Sequence, residues 1–304
     1  IPLYLDKKSE SLKIIQYLRN EAHRFGITFH RNKRSKGAIN SELEGIDGVD
    51  TDLVIRPFSQ KGVMTSLRQF TINASNHHHG IQAEERFGTR WTGSSDFDED
   101  GKPNELTSSD VSALVAWQAT LQIPKQMTPK SFEWKNRALI GSETFNQLSC
   151  NSCHIRALPL DSLTFQDPGP FDAAGTLRKN EGFNTRYDLS NLDWTSKLKK
   201  NDKGQVLVPL FGDLKRHKIS DQQVAVLGNE LLAQRFVERD VFMTSELWGI
   251  ASTAPYGHRG DLTTLDEIIR AHGGEARKSR DAYIALPDTE RESLIAFLKT
   301  LIIE

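Results

Sequence analysis

The chain contains very little cysteine: its 304 residues include only two, Cys150 and Cys153. Two cysteines this close together cannot form the disulfide framework that stabilises many small secreted domains. No apolar run approaches the roughly 20 residues that a membrane-spanning helix requires. Positive and negative charges are balanced, because the sequence has 39 Lys and Arg residues and 40 Asp and Glu residues. We therefore expect neither a membrane span nor a nucleic-acid partner.

The length exceeds that of an ordinary single domain, so one large core or two smaller cores are expected. The sequence begins at Ile1, with neither an initiating methionine nor a signal peptide. We interpret this N-terminus as processed, truncated or replaced.

The two cysteines belong to a single motif, Cys150-Asn151-Ser152-Cys153-His154. In a C-x-x-C-H motif, each thiol can form a thioether with one porphyrin edge, and the histidine binds the iron from below. The alternatives are an isolated disulfide, a thioredoxin-like redox pair and half of a zinc site. A zinc site would need further cysteines or a close histidine pair, and a redox pair would need a βαβ context. Neither is evident, so the motif predicts one covalently attached haem c.

A second candidate iron ligand is His272, near the end of a predicted helix. Thr264 and Glu267 form a capping box at the start of that helix. Helical spacing then places His272 on the same face as Leu265 and Ile268. A histidine on an apolar face can also be an ordinary core residue, but an iron bound by His154 needs a further ligand.

Two other helices are expected to cross over the haem. Apolar spacing predicts one helix over Trp134–Leu148, which leads directly into Cys150. The other follows Pro287 and covers Thr289–Ile303, with Thr289 and Glu292 as a capping pair.

A candidate calcium loop lies further upstream. Asp96, Asp98 and Asp100 alternate before a glycine, and Asn104 follows, as in the first half of an EF-hand loop. The twelfth position is Thr107 rather than a bidentate glutamate, so a complete EF-hand is not expected. The alternatives are a Ca²⁺ site and an acidic surface turn.

Other segments carry weaker signals. The run His77–His79 could supply a metal ligand or form a polar loop. Ser109 is the expected N-cap of the helix that ends before Pro124. The prolines and glycines after His154 predict mainly loop as far as Asp213. His217 is expected on the surface, and Asp221–Arg235 is predicted to form a helix.

Residues 1–48 differ in character from the remainder. An amphipathic helix is predicted over Ser9–Phe29, followed by a basic run over residues 31–36 that is either a solvated helix end or a phosphate-contacting patch. The stretches IPLYLDKKSE and EAHRFGITFHRNKRSKGAINSELEGIDGV resemble the end of the nuclease domain of UvrC, a bacterial excision-repair protein. The resemblance implies that His23 matches the catalytic histidine of that family. The metal-binding aspartates of the family have no counterpart, so this part is expected to be inactive.

A second resemblance covers about residues 49–304. It rests on DLVIRPFSQKG, NHHHGIQAEERFG, DFDEDGKPNELT, CNSCHIRALPL, APYGHRGDLTTLDEIIRAHGGEARKSRDAY and ERESLIAFLKTL. Together these stretches resemble the bacterial di-haem oxidoreductases, which are also named peroxidases or thiol oxidoreductases. Relatives of these proteins are the di-haem cytochrome c peroxidases and the di-haem enzyme that matures methylamine dehydrogenase.

The di-haem resemblance implies an iron held between His154 and His272. It also implies that His258 and Arg259 line the haem pocket, where they would contact a propionate or the space between haems. The family has a second C-x-x-C-H motif nearer the N-terminus, and this sequence contains only one. Because a peroxidase needs an open position on one haem and a second haem as electron donor, electron transfer is the expected activity.

The expected fold is therefore mainly α: a cytochrome c-like haem domain with long irregular loops, preceded by a separate N-terminal amphipathic helix. The expected divisions are a UvrC-like fragment (1–48), a remnant and inter-domain region with the possible calcium loop (49–130), and the haem domain (131–304). We expect a periplasmic or other extracytoplasmic protein with a redox partner protein or a small electron donor or acceptor. The alternatives are an inactive UvrC-type nuclease fragment and a structural module that binds calcium or zinc.

Overall fold

The computed structural model describes residues 56–168, 185–231 and 233–302. The chain divides into two compact units, Ile1–Leu53 and Val54–Glu304. The helix predicted over Ser9–Phe29, the basic run at 31–36 and His23 all lie outside the described residues. Among the helices described, none has both the length and the apolar character needed to cross a membrane.

The described residues form helices joined by short strands and irregular segments. The helices are α1 (Leu67–His79), α2 (Glu84–Phe87), α3 (Thr89–Thr92), α4 (Ser108–Thr120), α5 (Phe132–Gln147), α6 (Leu265–Arg270), α7 (Arg277–Ala285) and α8 (Asp288–Leu298). The strands are β1 (Lys125–Gln126), β2 (Leu158–Leu160), β3 (Thr164–Asp167), β4 (Thr185–Asp188), β5 (Val206–Val208), β6 (Arg216–Lys218), β7 (Val241–Met243) and β8 (Leu301–Ile302).

The expectation of a mainly α fold is confirmed only in part, because the described residues contain strands as well as helices and are mixed α and β. Its strands form four antiparallel pairs: β1 with β8, β2 with β5, β3 with β4, and β6 with β7. Four strands, β2 to β5, lie within the segment that was predicted to be mainly loop. They satisfy the backbone hydrogen bonds of a stretch whose prolines and glycines exclude a helix.

The helices α5 and α8 pack closely against each other, as predicted from the two apolar patterns. They approach to backbone contact at Gly141, where an added Cβ would lie 1.9 Å from the carbonyl oxygen of Ser293. Trp134 also joins the two helices, because its indole nitrogen donates to the carbonyl of Ala296 at 3.1 Å. Phe145 and Phe297 meet edge to face, with ring centroids 5.5 Å apart. This pair of helices forms one wall of the main core.

The starts of two helices differ from the prediction. Thr107, rather than Ser109, caps α4, and it forms a capping box with Asp110. Pro287 precedes α8 with no side-chain cap, so the predicted pair Thr289 and Glu292 lies inside the helix instead. Helix α8 also ends earlier than predicted, because the chain leaves it to form β8.

The helix predicted over Asp221–Arg235 is wrong: the described residues of this segment contain one 3₁₀ turn, Val226–Gly228, and no α-helix. The carboxylate of Asp221 accepts hydrogen bonds from the backbone nitrogens of Gln223 and Val224, and it also binds Arg277. These local and tertiary bonds compete with helical hydrogen bonding and override the apolar periodicity.

Residues 58–64 are attached to the domain through Lys61, whose side chain is completely buried. Its ammonium donates to three backbone carbonyls, those of Glu238, Arg239 and Val241, at 3.0, 2.7 and 2.9 Å. The same ammonium lies 3.4 Å from the centroid of the Phe242 ring. Three accepting carbonyls and an aromatic face compensate the ammonium for lost hydration.

Candidate functional site

The predicted iron ligands and the two cysteines predicted to attach haem line a single cavity of about 430 Å³. It is enclosed by the end of α5, the C-x-x-C-H motif, the segment 242–258 and helices α6 and α8. The lining contains Cys150, Cys153, His154, His258 and His272 together with apolar side chains. The fold therefore brings together residues that are up to 122 positions apart in the sequence.

The motif follows directly from α5. Ser149 adopts a left-handed conformation, with φ 60°, which turns the chain out of the helix. A 3₁₀ turn over Cys150–Ser152 follows, and the backbone nitrogen of His154 donates to the Cys150 carbonyl at 3.0 Å. Both thiols are free and half-buried. Burial raises the pKa of the Cys150 thiol to about 11, so this thiol is protonated at neutral pH.

One hydrogen bond sets the tautomer of His154. Its Nδ1 lies 3.1 Å from the carbonyl oxygen of Phe211. Because a carbonyl can only accept, Nδ1 carries the proton and Nε2 carries the lone pair. Burial, and then the neighbouring His272, lower the pKa of His154 to about 4. At neutral pH, His154 is therefore an uncharged imidazole with a lone pair for a metal.

His272 has the same arrangement. Its Nδ1 lies 2.7 Å from the carbonyl oxygen of Ile268, so Nε2 again carries the lone pair. Burial lowers its pKa as well. The predicted capping box of Thr264 and Glu267 is confirmed at the start of α6. The shared face is also confirmed, since Leu265, Ile268 and His272 all line the cavity.

These residues fit a covalently bound haem. The site offers two thiols at the attachment spacing and two half-buried imidazoles, each oriented by a backbone carbonyl that leaves Nε2 for a metal. The remaining lining is largely apolar, with Phe145, Leu294 and Leu298 among its residues. An apolar wall with a few fixed polar groups is the usual composition of a cofactor site.

The two predicted pocket residues of the 254–260 loop lie in different surroundings. His258 lines the cavity and stacks on Phe242, with ring centroids 4.6 Å apart and an interplanar angle of 24°. Its Nε2 is buried and has no hydrogen-bond partner among the described residues. Arg259 is exposed, and its guanidinium donates to the carbonyl of Asn229 at 3.3 Å. Arg259 is not part of the described cavity lining.

A polar cluster at the edge of the cavity was missed in the sequence. His217 was expected on the surface, yet its side chain is only 15% exposed. Its Nε2 lies 2.8 Å from Asp213, and its Nδ1 lies 2.8 Å from Glu275. Hydrogen bonding to Cys153, and then to Glu275 and Asp213, raises the pKa of His217 to about 10. No local signal indicated this cluster, because its members come from three separate segments of the chain.

The predicted calcium loop forms a turn with its carboxylates close together. Asp96, Asp98 and Asp100 each present an oxygen within 4.8 Å of those of the other two. The backbone nitrogen of Gly101 donates to Asp96, and Asn104 donates its backbone nitrogen to the Ser95 carbonyl at 2.9 Å. Desolvation, and then the nearby carboxylates of Asp100 and Glu105, raise the pKa of Asp98. Such a cluster has the ligand chemistry of a Ca²⁺ site, and calcium binding stays a prediction.

The histidine run closes α1 at its C-terminal end. His77, His78 and His79 are exposed there, where positive charge complements the helix dipole. They belong to no cluster of three metal-ligating side chains in the part of the chain that the structure describes.

Comparison with known proteins shows that the two parts of the chain resemble different proteins. Residues 194–301 match the family model described as "Di-haem oxidoreductase, putative peroxidase". This range includes His217, His258 and His272, and it begins after the C-x-x-C-H motif.

The N-terminal region matches a different protein, UvrABC system protein C. The identity is 76% over 55 residues with the protein of Christiangramia forsetii, which is 18% of this chain and 9% of that relative. It is 78% over 49 residues with the protein of Flavobacterium johnsoniae, which is 16% of this chain and 8% of that relative. The chain thus spans less than a tenth of the length of these curated relatives. Both resemblances inferred from the motifs are confirmed, and the chain combines them.

Proposed function

We propose that this chain is a c-type haem protein that transfers single electrons, with one haem c attached through Cys150 and Cys153. The observation that carries the proposal is the position of His272, which lines the same cavity as the C-x-x-C-H motif. The match to the di-haem oxidoreductase model over residues 194–301 supports an oxidoreductase role. When bound, the haem would supply a one-electron couple between ferric and ferrous iron.

The residues of the cavity have separate roles in this proposal. His154 and His272 would bind the iron through Nε2, each held in orientation by its Nδ1–H bond to a carbonyl. Phe145, Leu294 and Leu298 would exclude water from the ring. An iron with two imidazole ligands has no open position for peroxide, which favours electron transfer over peroxidase activity.

The same proposal includes the wider setting. Covalent attachment of haem c takes place outside the cytoplasm, so we propose a periplasmic or other extracytoplasmic location. The partner would be a redox protein or a small electron donor or acceptor. The given residues contain one C-x-x-C-H motif, so the proposal for them is electron transfer through a single haem.

The test is an absorption spectrum of the chain exported together with haem-maturation machinery. We expect haem that remains attached after denaturation and a low-spin spectrum in the native chain. His272→Ala should shift the iron toward high spin, whereas His79→Ala, at an exposed histidine, should leave the spectrum unchanged. A low-spin spectrum that persists in His272→Ala would remove His272 as ligand. A chain without covalent haem would remove the whole proposal.

A second candidate function, as a UvrC-type nuclease fragment, rests on the N-terminal identity of 60 to 78% over 49 to 70 residues. We propose that residues 1–48 by themselves do not cleave DNA, since His23 without the metal-binding carboxylates of that family cannot hold the divalent ions for phosphodiester hydrolysis. Metal-dependent nicking of damaged DNA by the purified chain that is lost in His23→Ala would contradict this.

A further inference from the structure

The cluster at the cavity edge has the geometry of a metal site as well as that of a hydrogen-bond network. The Cys153 sulfur, a carboxylate oxygen of Asp213 and a ring nitrogen of His217 all lie within 4.8 Å of one another. Asp213 is buried, its side chain 3% exposed, and Cys153 and His217 are half-buried. Thiolate, carboxylate and imidazole are the three ligand types that zinc binds in proteins.

The surroundings of His217 match those of a metal-binding histidine. Nε2 faces Asp213, while Nδ1 lies 2.8 Å from the Glu275 carboxylate. Glu275 is itself held by the backbone nitrogen of Lys218 at 2.8 Å. A carboxylate behind the second nitrogen of a ligating histidine fixes its tautomer and strengthens its donor nitrogen. The site therefore has an outer partner in place, which an accidental trio of side chains would lack.

The charge at this point favours a cation. Two carboxylates flank His217, and the cluster adds the thiol of Cys153. Zinc binds cysteine as the thiolate, so a divalent ion bound here would displace the thiol proton to solvent.

We propose that, before haem attachment, Cys153, Asp213 and His217 bind one zinc-like divalent cation, and that this cation and haem exclude each other at Cys153. Thioether formation adds the Cys153 sulfur to one vinyl carbon and its hydrogen to the other. The product is an uncharged thioether, which is a weak ligand for zinc. Metal binding in turn engages the thiolate that attachment needs. The exclusion of haem rests on the proposed function, whereas metal binding concerns the chain with free thiols and does not.

The probe is Co²⁺ added to the full chain made without haem maturation and freed of metal. Co²⁺ bound by a thiolate gives a charge-transfer absorption that oxygen and nitrogen ligands do not give. We expect a one-to-one titration, with Zn²⁺ displacing Co²⁺. The band should be lost in Cys153→Ala and His217→Ala, whereas the matched variant Cys150→Ala, which removes the other thiol of the motif, should retain it.

Glu275→Gln tests the role of the Glu275 carboxylate behind His217. Glutamine has nearly the same shape as glutamate, so this variant should fold. We expect metal affinity about 10-fold to 100-fold weaker, the usual effect of losing such a partner. The circular dichroism of every variant shows whether its fold is retained. A Co²⁺ affinity in Glu275→Gln equal to that of the native chain would overturn the role of Glu275 and the site geometry with it.

Exclusion at Cys153 is measured by alkylation and mass spectrometry of the native haem-free chain. Zn²⁺ should slow alkylation of Cys153 at least about 10-fold, in proportion to the occupied fraction, and should leave the rate at Cys150 unchanged. Equal protection of both thiols, no protection, or a Co²⁺ band that survives in Cys153→Ala would overturn the proposal. Failure of haem attachment would leave these results unaffected, so the two proposals fail separately.

Discussion

Replacing Gly141 by alanine tests whether α5 and α8 cross with their backbones in contact. The added Cβ would lie 1.9 Å from the carbonyl oxygen of Ser293 and 2.9 Å from the Cα of Leu294. Carbon and oxygen atoms in contact are normally at least about 3.3 Å apart. The neighbouring atoms belong to backbone and cannot rotate away, so the two helices would have to separate by more than about 1 Å.

The magnitude follows from opposing effects. Alanine in a helix interior is favoured over glycine by about 1 kcal/mol. Separation would open gaps around Leu294 and Phe297, which are almost completely buried, and a gap of 0.5 to 1 Å loses about a quarter to a half of the contact energy. Overpacking typically costs about 1 to 3 kcal/mol, and more where backbone has to move. We expect a net loss of about 3 kcal/mol in the free energy of unfolding.

The assay is urea unfolding of the haem-free chain, followed by circular dichroism. Asn136→Ala is the control, since Asn136 is exposed on the same helix and its replacement should change stability by less than about 0.5 kcal/mol. If Gly141→Ala proves as stable as the native chain, the close crossing of α5 and α8 is refuted. A loss confined to Gly141→Ala would support it.

Two further predictions concern charged clusters. Calcium should raise the melting temperature of the native chain but not that of Asp98→Asn, because this variant lacks one carboxylate ligand. Without calcium, Asp98→Asn should be slightly more stable than the native chain at neutral pH, because it removes the repulsion of Asp98 by Asp100 and Glu105. Equal calcium effects on both chains would exclude the site. The raised pKa of His217, about 10 against an ordinary 6.5, means that its stabilising contribution is complete below pH 6.5 and is lost as the pH rises toward 10. Urea unfolding of the haem-free chain, with a chelator present, should show that the free energy of unfolding falls over this pH range. In His217→Phe the free energy should depend less on pH. An equal pH dependence in the two chains would contradict the role of His217.

The elements predicted correctly from the sequence depend on local patterns. Helix α5 and the capping box at Thr264 could be predicted because the residues that define a helical period or a cap are close together in the sequence. The same periodicity placed His272 with Leu265 and Ile268. These local patterns were sufficient to locate both candidate iron ligands.

What was missed depends on contacts distant in sequence. Zinc was set aside because no further cysteine or histidine pair lies near the motif, and the fold then brings Asp213 and His217 to Cys153 from about 60 positions away. The short strands also escaped detection, since Leu158–Leu160 pairs with Val206–Val208 and two or three residues carry no measurable alternation. Such pairings become visible only once the chain is folded.

The buried Lys61 has a consequence for any attempt to cut a minimal haem module from this polypeptide. The candidate attachment motif and both candidate iron ligands lie after residue 131, so a truncated protein could be designed to begin there. Such a truncated protein would leave the carbonyls of Glu238, Arg239 and Val241 without the donor that now satisfies them, and would uncover the ring on which His258 rests. The smallest autonomous unit must therefore retain the stretch that carries this ammonium, more than 80 residues before Cys150, the first candidate haem-attachment cysteine.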